Sequence, residues 1–297
     1  MKNLFKFIAA TGILSFCHSH LYAQQNSAPG KIDSKKPIII HGVATFDPIR
    51  NKWYSSLVLL RSIYDKSNGR VGKDTSAGTG FVLSDNGKLY IVTAKNIITA
   101  TQYKNSRLPN DSISVSYLPY FHMSLKLDFK LSGLSGNGAK NPAVAFTNNE
   151  ENIAIISLQK KEYKTEVADL LAHGCMPVAI SELDTSDNHR AGERLGRYGR
   201  DIMRNNESMN WGICYIQDND QALAFFTIKK VLLTQGISGS IAIANEKLIG
   251  LMADGTEISY TDYKDLKTIP AKFTKAAYII SCLRRLQQME NDPAFNK

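Results

Sequence analysis

The sequence predicts an all-β chain of antiparallel strands that ends in one helix. Its apolar runs are short, and Asn86-Gly87 separates two of them in the way that a tight hairpin turn does. Leu125, Leu127 and Phe129 alternate with charged residues, which is typical of a strand with one buried face and one solvated face. The composition is 43% hydrophobic and 21% charged, so the 297 residues form an ordinary globular protein of one large domain or two small ones.

The N-terminal residues 1–23 have the features of a secretory signal peptide. Lys2 and Lys6 give a positive start, residues 7–16 are apolar, and Ala23 offers a small residue for cleavage. The apolar run is too short to act as a membrane span, and no second candidate span follows it. We therefore expect a secreted or periplasmic protein with no transmembrane segment after cleavage. The polar residues 24–37 are expected to form a flexible lead.

The charge is basic but dispersed. The formal net charge is +9, and removal of the two leader lysines leaves about +7. Because no long basic run is present, a solvated basic surface is favoured and no nucleic-acid partner is expected. Attraction to an anionic envelope polymer or to nucleic acid is the alternative.

The cysteines predict thiols rather than a metal centre. Cys17 lies in the leader after the bulky Phe16, which is a poor fit to lipidation. Cys175, Cys214 and Cys282 are odd in number, so at least one is free or pairs between chains. Buried thiols are favoured, while a bridge from Cys175 to either of the other two stays open. No Cys-x-x-Cys, His/Cys cluster or phosphate-binding glycine loop is present, so neither metal nor cofactor is expected.

The first half contains a series of predicted strands. Ile153-Ala154-Ile155-Ile156 is apolar on both faces, as in a central strand. Residues 77–83 and 88–93 form the hairpin around Asn86-Gly87. The other predicted strands are residues 38–46, 53–64, 112–119, 123–131 and 143–146.

The second half follows a charged connector, residues 160–171, which is a candidate helix. Its predicted strands are residues 177–180, 191–199, 210–216, 222–228, 242–245 and 248–253. Thr274 is expected to cap the final helix. One side of that helix carries Ile279, Leu283, Leu286 and Met289.

Five stretches, taken in order, resemble the motif blocks of the trypsin-like (chymotrypsin-fold) serine proteases. They are Gly78-Thr79-Gly80-Phe81, Ile91-Val92-Thr93-Ala94-Lys95-Asn96, Asn152-Ile153-Ala154-Ile155, Gly236-Ile237-Ser238-Gly239-Ser240 and Ile249-Gly250-Leu251. The resemblance implies two antiparallel β-barrels packed side by side. The first would span residues 38–160 and the second 161–273, followed by the helix and tail at 274–297.

The resemblance departs from the family at the residues that move protons. Asn96 stands at the position of the general-base histidine, and Asn152 stands at the position of the aspartate that orients it. Ser238 keeps the nucleophile position, while Ala253 replaces the serine that supports the aspartate. The scaffold is therefore expected to be kept without the proton relay.

The residues that would bind a ligand match better. The resemblance implies an oxyanion hole formed by the backbone N–H groups of Gly236 and Ser238, and an edge strand that pairs with an extended peptide. The candidate substrate-strand and pocket residues are Leu232, Ala253, Asp254 and Gly255. Leu232 at the pocket floor favours an apolar occupant, whereas Asp254 is an unusual pocket wall.

Two main functions follow from these matches. One is a secreted trypsin-like pseudoprotease that binds a peptide or protein. The other is a working serine endopeptidase in which Ser238 uses an unconventional base, for which the candidates are Lys95, His122, His173 and His189. A purely structural or envelope-associated module is a third alternative.

Overall fold

The structure is a computed structural model. It describes residues 38–40, 43–45, 52–65, 73–99, 112–120, 123–130, 144–147, 150–203, 206–228, 236–254 and 271–292. The chain divides into two units, Met1–Asp47 and Pro48–Lys297. The first unit contains an antiparallel pair, β1 (Ile38–Ile40) and β2 (Val43–Thr45). The expected signal peptide and the lead lie outside the described residues.

In the second unit, the first half forms one large sheet with the order β7-β6-β3-β4-β5-β9-β8. Its strands are β3 (Leu57–Asp65), β4 (Lys73–Asp85), β5 (Lys88–Ala94), β6 (Ser112–Tyr120), β7 (Met123–Lys130), β8 (Val144–Phe146) and β9 (Ile153–Ser157). The predicted hairpin is confirmed between β4 and β5, where Asn86 and Gly87 both have positive φ (50° and 76°) as a primed turn requires. A short strand, β10 (Val178–Ala179), adds to β4 in parallel.

The second half forms a closed barrel with the order β11-β12-β13-β16-β15-β14. Its strands are β11 (Arg194–Met203), β12 (Asn206–Asp218), β13 (Phe225–Ile228), β14 (Ile241–Ala244), β15 (Lys247–Asp254) and β16 (Ala271–Lys275). Alternate side chains such as Leu195, Cys214 and Phe226 fill its interior. This confirms the predicted second barrel.

The two halves have related strand orders. The sheet contains the run of neighbouring strands β3-β4-β5-β9, which corresponds to the run β11-β12-β13-β16 in the barrel. On the other side of β3, the sheet continues with β6 and then β7. On the other side of β11, the barrel continues in the same way with β14 and then β15. Among the described residues, the first half forms a half-barrel sheet, in which β7 and β8 are not paired with each other. The physical reason is that β8 pairs with β9 at the edge that β15 occupies beside β16.

Four α-helices are described: α1 (Lys52–Ser55), α2 (Lys95–Ile98), α3 (Lys164–Ala172) and α4 (Ala276–Asn291). The predicted helical connector is confirmed as α3, and the predicted C-terminal helix as α4. Thr274 does not cap α4, because it lies in β16 and its hydroxyl donates to the Glu151 carbonyl at 2.5 Å. Among the described helices, none combines the length and apolar character needed to cross a membrane.

The structure shows free, buried thiols at Cys175, Cys214 and Cys282. Burial raises the pKa of the Cys175 and Cys282 thiols to about 12, and it also raises the pKa of Cys214. The favoured prediction of buried thiols therefore holds, and neither alternative bridge from Cys175 is formed.

Helix α4 is tied to the β4–β5 hairpin by a buried carboxylate. Asp85 is 3% exposed and accepts hydrogen bonds from Arg284 Nη1 at 2.5 Å and Gln287 Nε2 at 2.8 Å. Burial alone would raise the pKa of Asp85, but the hydrogen bonds from Gln287 and Arg284 and the charges of Arg284 and Lys88 together hold it below its usual value.

We expect the contacts of Asp85 with Arg284 and Gln287 to stabilise the fold only at pH values where Asp85 is ionised. Because the pKa is lower in the folded state, the contribution is present above about pH 4 and is lost as the pH falls through the folded pKa. Asp85→Asn should lower the free energy of unfolding by about 1–2 kcal/mol at pH 7. The loss is smaller than for a fully buried ion pair, because the Arg284 side chain is half-exposed and water screens its charge. Urea unfolding at pH 7 and pH 3 measures this, with Asp128→Asn on the exposed face of β7 as control. An equal deficit at both pH values would contradict the prediction.

Candidate functional site

Ser238 lies on a tight turn, residues 236–240, which we call the serine turn. The φ angles of Gly236 and Gly239 are 94° and 84°, a region that glycine adopts without steric cost. Gly239 N–H donates to the Met252 carbonyl at 2.9 Å, and Ser240 N–H donates to the Ile237 carbonyl at 2.9 Å. These bonds hold Ser238 half-buried beside the end of β15.

The serine turn is bonded to the first-half sheet through Thr79 of β4. Thr79 N–H donates to the Ser238 carbonyl at 2.7 Å, and Thr79 Oγ1 donates to the Gly236 carbonyl at 2.9 Å. The same hydroxyl accepts the Arg200 N–H at 2.7 Å. A Cβ added to Gly239 would lie 1.9 Å from the Thr79 carbonyl oxygen, so the two backbones are in direct contact.

Asn96 reaches the same region on the short helix α2, which directly follows β5. A Cβ added to Gly78 would lie 2.1 Å from Ile97 Cδ1 and 2.9 Å from the Ser238 carbonyl oxygen. Gly78 therefore lies between α2 and the serine turn, and its lack of a side chain allows them to approach. Helix α2, which carries Asn96, and the serine turn, which carries Ser238, thus both approach Gly78.

Asn152 connects this region to the barrel. Its Oδ1 accepts the Asn96 N–H at 3.0 Å, and its Nδ2 donates to the Ala253 carbonyl in β15. Its own carbonyl accepts the Lys95 N–H at 2.8 Å. Asn152 has φ 51°, a left-handed conformation that asparagine tolerates better than most residues.

Two side-chain oxygens of the site, Ser238 Oγ and Asn96 Oδ1, take no part in these hydrogen bonds. Within the described part of the chain, no group forms a hydrogen bond with Ser238 Oγ. Asn96 Oδ1 is buried and has no described hydrogen-bond partner. No imidazole or carboxylate among the described residues is therefore bonded to the candidate nucleophile.

The described candidates for an unconventional base have other partners. Lys95 Nζ donates to the Thr147 carbonyl at 3.2 Å. The ring of His173 is 2.7 Å from the Asp169 carbonyl of its own helix, and His189 Nδ1 is 3.0 Å from Glu193 Oε1. The fourth candidate, His122, lies outside the described residues.

The predicted binding residues are partly described. Gly236 pairs with Gly78 in an isolated parallel bridge, and Ser238 N–H has no partner among the described residues. Ala253 is 2% exposed in β15, and Asp254 pairs with Lys272 of β16 through the backbone. The side chain of Asp254 lies outside the described part, as do Leu232 and Gly255, so their roles in a pocket stay predictions.

Sequence reasoning missed Arg200 and the role of Thr79. Arg200 is fully buried, and its Nη2 donates to the Leu57 carbonyl at 3.2 Å. A buried arginine in a strand has no local sequence signature. Thr79 did have a local sequence signature, because the glycines on either side of it, Gly78 and Gly80, suggest that a second backbone approaches there.

Comparisons with known proteins find likenesses in fold among solved structures. No family model matches the chain, and no curated protein matches it. Among solved structures, the crystal structure of the scabies mite inactivated protease paralogue S-I1 is similar, with a TM-score of 0.48 and 14% sequence identity. The likeness covers 80% of this chain and 96% of that chain.

Proposed function

We propose that this chain is a secreted homologue of the trypsin-like proteases that does not cleave peptides. It instead binds an extended peptide or protein segment beside Ser238. One observation carries this proposal. The hydroxyl of Ser238 is presented on a bonded turn, while the amides at positions 96 and 152 are hydrogen-bonded to structural partners or to none.

Serine acyl transfer needs a group that removes the hydroxyl proton as the oxygen attacks. A histidine does this because its pKa lies near neutrality, whereas a carboxamide does not take up a proton near pH 7. Asn96 could accept a hydrogen bond from Ser238 but could not hold the proton. Because the members of such a triad act as a unit, loss of the base alone removes a factor on the order of 10⁶ in rate.

Unused hydrogen-bonding groups support binding. Asn96 Oδ1 is a buried acceptor without a described partner, and such a group costs about 1–3 kcal/mol until a donor reaches it. Ser238 N–H is a donor that no described group uses. The carbonyl of a peptide laid beside the serine turn would supply the acceptor that the Ser238 N–H lacks.

The end of β15 supports an extended ligand. Strand β15 pairs with β14 only as far as Leu251, and beyond it Met252 bonds to the serine turn. An extended peptide placed beside Asp254 and Gly255 would continue the sheet by strand addition. The signal-like residues 1–23 support export to the periplasm or the exterior.

Activity-based labelling tests the catalytic half of the proposal. We expect a fluorophosphonate probe to label the protein no more than the Ser238→Ala variant, because no described base activates the hydroxyl. Labelling that depends on Ser238 would overturn the proposal and favour the endopeptidase with an unconventional base.

Peptide binding tests the other half. A fluorescent library of extended heptapeptides is titrated against the wild type, Ser238→Ala and Ser238→Trp. We expect saturable binding that Ser238→Ala keeps and Ser238→Trp abolishes, since the indole would fill the space beside the serine turn. Absence of binding to the wild type, or equal binding to all three proteins, would contradict a peptide site at Ser238.

A further inference from the structure

We infer that Asn152 is an amide bridge between the two halves of the fold, and that a carboxylate could not replace it. Asn152 joins the two halves whether or not the surface beside Ser238 binds a peptide.

The two ends of the Asn152 amide have different partners in different halves. Oδ1 accepts the N–H of Asn96 at 3.0 Å, at the start of α2 on the first-half sheet. Nδ2 donates to the carbonyl of Ala253, in β15 of the closed barrel. The Ala253 carbonyl can only accept, so the contact with it requires a donor at position 152.

The direction of this contact is the reverse of the one that the family resemblance implies. There, an aspartate at position 152 would accept a hydrogen bond from a serine hydroxyl at position 253. Here, the side chain at 152 donates, and the residue at 253 offers a backbone carbonyl because its methyl group cannot form a hydrogen bond. Asn152 and Ala253 therefore complement each other, just as the aspartate and serine of the family do.

The backbone at position 152 also suits asparagine. Its φ of 51° and the contact of its carbonyl with Lys95 N–H place the side chain between the two halves. Asn152→Asp would keep the shape of the side chain and the bond from Asn96. It would put a negatively charged oxygen against the Ala253 carbonyl oxygen, which is a repulsive contact in a part-buried position.

The test is the thermal stability of Asn152→Asp, compared with the wild type at each pH from 4 to 8. At pH 7 we expect the melting temperature to fall by about 5 °C or more. The deficit should shrink as the pH falls, because a protonated carboxyl can again donate to Ala253. The control is Asn188→Asp, at an exposed asparagine whose side chain forms no hydrogen bond with the described residues, and it should change the melting temperature little.

A second variant decides the case if Asn152→Asp does not fold at neutral pH. Asn152→Asp combined with Ala253→Ser restores a donor, because the new hydroxyl can donate to the carboxylate. We expect the double variant to recover at least half of the deficit, while Ala253→Ser alone gains nothing. The inference is overturned by an Asn152→Asp protein as stable as the wild type at pH 7. It is equally overturned by a deficit that neither acid pH nor Ala253→Ser reduces.

Discussion

Replacing Gly239 with alanine is expected to lower the free energy of unfolding by more than about 4 kcal/mol, the range of severe core substitutions. The added Cβ would lie 1.9 Å from the carbonyl oxygen of Thr79 and 2.9 Å from its carbonyl carbon. Both are backbone atoms of a central strand, so no side-chain rotation relieves the clash. The serine turn would have to move, with loss of the bond from Gly239 N–H to the Met252 carbonyl.

The positive φ of Gly239 contributes only a small part of this effect. Gly192→Ala is a matched control, because Gly192 has φ 87° and a Cβ there would meet nothing within 4 Å. That control should cost about 1 kcal/mol, the usual penalty of a side chain in the left-handed region. Urea unfolding of both variants separates steric contact from backbone strain. Equal losses in the two variants would mean that the serine turn is not pressed against Thr79.

The sequence predicted what is encoded locally. Asn86-Gly87 fixes a hairpin by its own backbone preference, and Ile153 to Ile156 predict a buried strand because both faces are apolar. The helix at the C-terminus follows from its one-sided apolar pattern, with Ile279, Leu283 and Leu286 buried. Each of these signals lies within a few consecutive residues.

Contacts between distant residues were not predictable in the same way. Asn152 finds the Ala253 carbonyl 101 residues away, and Thr79 finds Arg200 121 residues away. No residue pattern at 152 says whether its amide donates or accepts, since that depends on the partner. Thr274 illustrates the same limit, because a threonine before a helix suggests a cap until a distant carbonyl takes its hydroxyl.

The open edge of the first-half sheet has a similar explanation. Three of the five motif blocks lie on β4, β5 and β9, which the structure places side by side in the sheet. None of the blocks lies on β7 or β8, the two edge strands. The resemblance therefore predicted the part of the sheet that carries Asn96 and Asn152. It covered no residue of the edge strands β7 and β8, so it held no information on whether these two strands pair.

The second large effect is expected at Thr79, where Thr79→Val should lower the free energy of unfolding by about 2–4 kcal/mol. Valine matches threonine in shape but has no hydroxyl. The buried Arg200 N–H would lose its acceptor at 2.7 Å, and the buried Gly236 carbonyl would lose its donor at 2.9 Å. Two buried backbone groups would thus be left without these bonds at the contact between the halves.

Thr79→Ser is the matched control, because serine keeps the hydroxyl and removes only a methyl group. It should cost no more than about 1.5 kcal/mol, the range for loss of one buried methyl. Urea unfolding gives the stabilities, and hydrogen exchange at the Arg200 amide reports the bond directly. We expect this amide to exchange faster in Thr79→Val than in Thr79→Ser. If the valine variant is as stable and as protected as the serine variant, the hydroxyl of Thr79 does not hold the serine turn to the sheet, since the bond between Thr79 N–H and the Ser238 carbonyl would then be sufficient.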